Sequence, residues 1–284
     1  MTVAETLHET AVTELDLSRY VISETHETTA DTIEKMCAAR YSCALVTDAG
    51  KLVGIFTQRD VLMRVVGTAG AADQPIGEAM TDSPRTVKAT QSVAEALSTM
   101  TELWVRSVPV VGDDGAVIGN VSFYVLMKLI ADLLADHALG TPTEVSAHHG
   151  LEFIDFTGLN TSAPVTVHED DSLEAAVHQM KSRALGSVFV VDHREHLVGV
   201  VTEFDLQTRG AWKVADLADR SAVDYMTPDP VTLSARSSVA SAVQEMAATG
   251  SSHVPLLGES GRPIGVASFR DVADYFETSV AILD

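Results

Sequence analysis

Cysteine is almost absent from this chain of 284 residues. The only two, Cys37 and Cys43, stand among apolar neighbours. That excludes a disulfide-stapled scaffold and points to buried free thiols in a reducing compartment. Lysine is also scarce, supplying six of the 19 basic residues, against 40 acids and a net charge of −21. The basic patches that bind nucleic acid or anionic membrane are missing, so neither is an expected partner. The acids fall 19 in residues 1–142 and 21 in residues 143–284, so no acidic tail accounts for the total. Such a diffuse acidic, Lys-poor surface suits a high-salt cytoplasm as well as an ordinary one. No apolar run approaches the roughly 20 residues of a bilayer span. The acidic stretch Met1 to Asp16 has neither the basic nor the apolar part of a secretory signal. The expected location is the cytoplasm.

Chemical machinery is missing too. No nucleophile elbow, phosphate loop or catalytic triad is visible, and the expectation is a protein that is not an enzyme, without a catalytic cofactor. Ten histidines include the pair His148-His149, but no tetrahedral set with Cys or acids accompanies them, so no metal site is expected.

What the chain has is apolar content, 46%, and one pattern that returns four times. Gly54-Ile55-Phe56-Thr57-Gln58-Arg59-Asp60 recurs as Gly199-Val200-Val201-Thr202-Glu203-Phe204-Asp205 and as Gly265-Val266-Ala267-Ser268-Phe269-Arg270-Asp271. The remaining copy, Gly119-Asn120-Val121-Ser122-Phe123-Tyr124-Val125, has Val where the others have Asp. Recurrence at a domain-sized interval marks internal duplication.

Each motif closes the same series of signals. A helix of 3.6-type spacing comes first: Asp31 to Met36, Val93 to Met100, Leu173 to Met180 and Val239 to Met246. Two strands follow: Ala44 to Thr47 with Leu52 to Thr57, Ser107 to Val111 with Val117 to Ser122, Ser187 to Asp192 with Leu197 to Thr202, and Val254 to Leu257 with Pro263 to Ser268. A leading strand precedes the helix at Arg85 to Val87, Val165 to Val167 and Val231 to Leu233, and Tyr20 to Ser23 is its candidate in the first copy. The fold class is therefore α/β (α+β), a β-α-β-β-α unit used four times. The Gly positions lie 65, 80 and 66 residues apart, which pairs the first unit with the second and the third with the fourth. The division is 1–18 as an N-terminal segment, 19–76, 77–137, 163–218 and 219–284 as units, and 138–162 as a linker. Phe123 to Leu134 reads as a helix that packs modules together or forms a dimer face.

The motif sits where a strand runs into a helix, so Thr57, Thr202 and Ser268 are expected N-caps. Free N–H groups at that point favour an anion such as phosphate. The Asp three residues on can accept hydrogen bonds from a sugar diol, and Gly54, Gly199 and Gly265 let a ligand come close to the strand. The same Thr-x-x-Asp spacing also describes a capping box, in which the acid only satisfies the cap's own N–H.

Four copies in phase closely resemble CBS domains, which occur in pairs called Bateman modules, and the likeness covers about residue 20 to residue 280. It implies a stand-alone protein of two such modules in a disc-like assembly, formed within the chain or by head-to-head dimerisation. It also implies that the Thr or Ser meets phosphate, the Asp meets ribose, and Ile55, Val200 and Val266 lie against adenine. The partner unit would complete each site, with Arg106 and Ser107 facing Asp60, Ser252 and His253 facing Asp205, and Gly186 and Ser187 facing Asp271. Arg106 could fork onto phosphate oxygens, with Arg59 and Arg270 as further candidates. The Asp60 site thus ranks first for multi-phosphate ligands and the Asp205 site second, while the Ser122/Val125 copy is expected to be empty or weak.

The function expected is that of a non-enzymatic sensor binding ATP, ADP or AMP as a regulatory ligand, as a homodimer, and transmitting energy status to an unidentified regulated partner. The alternatives are S-adenosylmethionine as ligand, or a protein-interaction scaffold whose sites are vestigial.

Overall fold

The structure is a computed structural model, and the residues it describes are 3–138, 155–157 and 161–280. The first unit has the strands Val21–Glu24, Cys43–Asp48, Lys51–Thr57 and Thr81–Asp82 in that order across one sheet. The third unit repeats this with Thr166–His168, Ser187–Val191, Leu197–Thr202 and Thr227–Pro228. The second and fourth units keep the first three strands, Val87–Lys88, Ser107–Val111 and Val117–Ser122, then Leu233–Ser234, His253–Leu257 and Pro263–Ser268. In every unit the first pairing is parallel, with the helix as its crossover, and the second is an antiparallel hairpin. The short fourth strands escaped the sequence reading because two residues carry no periodicity.

The four crossover helices span Thr29–Ala39, Val93–Leu103, Leu173–Ser182 and Val239–Thr249, each capped by a side chain of Thr28, Ser92, Ser172 or Ser238. Every hairpin carries a register shift just before the motif glycine, leaving Val53, Ile118, Val198 and Ile264 unpaired. The bulge bends the strand inward, and the side of the glycine that a Cβ would occupy is already filled. A Cβ on Gly54 would overlap Met80, and one on Gly199 would overlap Met226, each from the segment leading to the short fourth strand. At Gly265 a Cβ would stand 3.1 Å from Thr161 Oγ1. The glycines therefore make room for the protein's own chain.

Two kinds of contact close the units into a ring. Hairpins join the first unit to the second, through the Lys51–Ala116 bridge and an apolar patch of Cys43, Leu45 and Ile55 packed by Leu52 and Val117. In the same way Leu197 N donates to Gly261 O at 3.3 Å between the third and fourth. Helices make the other joints. One core combines Ile33, Met36, Phe56 and Leu62 of the first unit with Leu173, Val177, Met180 and Leu206 of the third. The other combines Val93, Leu97, Leu126 and Ile130 of the second with Val239, Val243, Met246 and Val272 of the fourth. The helix Phe123–Ala138 is thus a module-packing face. The N-terminal segment adds a helix, Val3–Glu9, whose Leu7 is buried in the second core. Phe156 enters the same core, while most of the expected linker and His148-His149 lie outside the described residues.

Both cysteines are free; Cys43 is buried, and burial pushes its thiol up to about 12. Among the described residues no helix is long and apolar enough to cross a membrane, and no group of His, Cys, Asp or Glu could hold a metal ion.

Two substitutions test this architecture. Ile130→Ala, at a fully buried position between the second and fourth units, is expected to lower unfolding free energy in urea by about 3 kcal/mol. Gly54→Ala is expected to cost about 1–3 kcal/mol by forcing Met80 aside, and pairing it with Met80→Ala should recover most of that loss.

Candidate functional site

Among the described residues, two open cavities each collect residues of two of the four motif sites. One, of about 360 Å³, is lined by Ile55, Thr57, Arg59, Asp60, Arg106 and Ser107 and, across from them, by Gly186, Ser187, Val266, Ser268 and Arg270. The other, of about 860 Å³, is lined by Val200, Thr202, Asp205, Ser252 and His253 and, on its far side, by Ser122 and Tyr124 of the copy that lacks Asp. The sequence reading treated the sites singly; the structure places them in facing pairs. Gly54, Gly199 and Gly265 line neither cavity among the described residues.

The capping box is realised in all three Asp copies. Asp60 Oδ2 accepts from Thr57 N at 2.8 Å and from Thr57 Oγ1 at 2.7 Å, and Asp60 N donates back to Thr57 Oγ1 at 3.4 Å. Asp205 Oδ2 accepts from Thr202 N at 2.9 Å and from the Thr202 hydroxyl. Asp271 Oδ2 accepts from Ser268 N and Ser268 Oγ, each at 2.6 Å. In each case one carboxylate oxygen serves the cap and the second faces outward. In the defective copy only the weak half survives, Val125 N donating to Ser122 Oγ at 3.5 Å, and Val125 itself is buried.

The outward oxygens differ in how they are engaged. Asp60 Oδ1 accepts a long bond of 3.4 Å from Thr81 Oγ1 and faces Arg64 Nε at 3.4 Å. Asp205 Oδ1 accepts from Thr227 Oγ1 at 2.7 Å and from Arg209 Nε at 3.4 Å. Among the described residues Asp271 Oδ1 has no such partner. Burial raises the carboxyls of Asp60 and Asp271 above the ordinary aspartate range, and the cap hydrogen bonds only partly oppose it. Thr81 and Thr227 were missed in the sequence although Met80-Thr81 and Met226-Thr227 stand at matching places in the two modules; that recurrence was the available signal.

The largest omission is Glu203. It is 1% exposed, the first residue of the helix Glu203–Thr208, and it reaches the seam where the four units meet. Its Oε1 accepts from Arg59 Nη1 at 3.0 Å and its Oε2 accepts from Arg106 Nη2. Arg59 Nη2 also donates to Ala184 O at 2.7 Å, and Arg106 Nη1 to Ser252 Oγ at 2.8 Å. One carboxylate thus ties guanidinium groups of the first and second units to the third, and Arg106 carries the tie to the fourth. Burial alone would push the Glu203 carboxyl up, but the charges of Arg106 and Arg59 outweigh it and hold the group below the usual glutamate range. Beside them the His253 imidazole is pushed down to about 4, by desolvation first and then by Arg106, so it is neutral at physiological pH. Its Nδ1 lies 3.0 Å from Ser252 Oγ. The positions equivalent to Glu203 hold Gln58, Phe123 and Phe269, so a lone acid in that column of the repeat was the clue. Arg270 leans over the Trp104 ring at 3.4 Å from its centroid, at the edge of the smaller cavity.

Comparison with known proteins bears on the fold and the family. The structure is similar to that of protein MJ1225 of Methanocaldococcus jannaschii, proposed as an archaeal homologue of γ-AMPK, with a TM-score of 0.78. That match covers 94% of this chain and 99% of the other at 18% identity, and shows the shared fold. In sequence the chain is 26% identical over 297 residues to the meiotically up-regulated gene 70 protein of Schizosaccharomyces pombe, and 25% identical over 127 residues to a homoserine O-acetyltransferase of Methanocorpusculum labreanum. It spans only 40% of the length of the first and 22% of the second. The profile of the CBS domain matches residues 12–67, 76–132, 157–209 and 222–278. With four matched repeats over most of its length, the chain belongs to the CBS-domain family.

Proposed function

We propose that the chain is a non-enzymatic regulatory protein that binds an adenine nucleotide in the cavities between its paired repeats. The observation that carries this reading is the convergence of the capped pairs Thr57–Asp60 and Thr202–Asp205, with Ser268, Arg59, Arg106 and Arg270, on two cavities. Asp60 and Asp205 each keep one carboxylate oxygen off the cap as an acceptor for a ribose diol, and the arginines offer forked donors for phosphate. Ile55 and Val266 supply apolar surface for a base in the smaller cavity, and Val200 in the larger.

Binding at one joint of a closed ring bears on every other joint, because each unit shares a core with one neighbour and a hairpin contact with another. A ligand that fits one arrangement of the modules better than another would shift the balance between them by its difference in affinity, and a protein partner could read that shift.

Calorimetric titration with ATP, ADP and AMP is the direct test, and at least one of them is expected to bind. Asp60→Asn and Asp205→Asn keep a side-chain acceptor for the cap but remove a charged acceptor for the diol. Each is expected to weaken binding in its own cavity by about tenfold or more, with little change in melting temperature. Absence of heat for all three nucleotides up to millimolar concentration sinks the reading. Incubation with ATP is expected to release neither ADP nor phosphate, and steady turnover abolished by Asp60→Asn or Asp205→Asn would show an enzyme instead.

A further inference from the structure

The arginines of the smaller cavity meet a buried acid. Arg59, Arg106 and Arg270 bring three guanidinium groups to its wall, where Asp60 also stands, and Glu203, which is not among the lining residues, pairs with Arg59 and Arg106. Asp60 and Asp271 belong to the motif and would be present in any copy that meets a sugar. Glu203 stands at one of the motif's variable positions, which the other copies fill with Gln58, Phe123 and Phe269. It comes from the neighbouring module and is buried against the two arginines that a ligand phosphate would need. Arg106 was expected to fork onto phosphate oxygens; here its fork is already spent on Glu203 and Ser252.

A phosphate entering this cavity meets arginines whose positive charge is already matched by a buried anion. It must either share them with Glu203 or displace it, and both carry an electrostatic penalty that grows with each further phosphate. A carboxylate fixed on the two wall arginines therefore discriminates by ligand charge while leaving the base and sugar contacts untouched.

We propose that Glu203 is the selectivity residue of this cavity: a built-in anion that competes with ligand phosphate for Arg59 and Arg106 and so favours an adenosyl ligand with one phosphate over one with three. The inference deepens the adenine-nucleotide reading of the same site and rests on it for the identity of the ligand. Glu203 itself lines the larger cavity. Any displacement would thus move negative charge toward the second space.

The experiment compares the wild-type chain with Glu203→Gln, which keeps the shape and removes the charge, by calorimetry with AMP, ATP and inorganic tripolyphosphate. The wild type is expected to bind AMP at least as tightly as ATP. Glu203→Gln should tighten ATP by about tenfold or more and AMP by less than about threefold, and tripolyphosphate should bind the variant more tightly than the wild type. An unchanged ATP-to-AMP ratio, or an equal loss of both, would overturn the inference and leave Glu203 as a brace for the arginines. If no adenine nucleotide binds either protein, the adenine reading fails, and the tripolyphosphate arm still decides the role of Glu203. Equal tripolyphosphate binding by the two proteins overturns it. Thermal melting reports whether the variant folds. Should it not fold, Arg59→Gln, at a side chain 40% exposed, tips the same balance the other way. ATP is then expected to lose more affinity than AMP, and an equal loss overturns the inference.

Discussion

A sheet of three or four short strands with one crossover helix cannot cover its own apolar faces, and a unit of about 60 residues buries too little surface to stand alone. Everything else in this molecule follows from how that shortage is met. Each unit borrows cover twice. It lays its hairpin against the neighbour in sequence, and it merges its helices with the unit one module away. The cores of the first and third units, and of the second and fourth, are single continuous clusters. No unit can shift without disturbing two others, and the close packing of such cores makes alternatives discrete rather than graded.

The same borrowing creates the sites. Where hairpins abut, the ends of the strands and the starts of the following helices face one another across a gap, and the gap becomes a cavity. The capping boxes at its edge look like local structure, and they are. One oxygen of each Asp is spent on holding a helix start, which fixes the direction of the other. Capping therefore does not compete with the proposed binding, since one carboxylate can hold a helix start with one oxygen and offer the other to a ligand. The helix-side arginines supply positive charge, and because the ring closes, an acid of the third unit reaches the arginines of the first two.

The repeat was legible in the sequence, with strands placed to within two residues and helix ends short by two to four, because helix and strand periodicities are local and were read four times over. Thr57, Thr202 and Ser268 mark the starts of the second helices by rules that depend only on neighbours three or four residues away. Membership of the family and the pairing of units were likewise visible from motif spacing. What crowds the motif glycines was not legible there: Met80 and Met226 arrive from 26 and 27 residues further along the chain, and nothing in the motif itself announces them.

The sequence by itself determined the four units, their order and the groups each offers at its strand-to-helix junction, since all of these rest on short-range periodicity and hydrogen bonding. Only the tertiary structure decided which units share a core, that the sites face each other in two cavities, and that Glu203 sits between Arg59 and Arg106. Those residues are 144 and 97 positions away from it along the chain. A salt bridge over such a span depends on where the whole ring brings its ends, and no local pattern encodes that meeting.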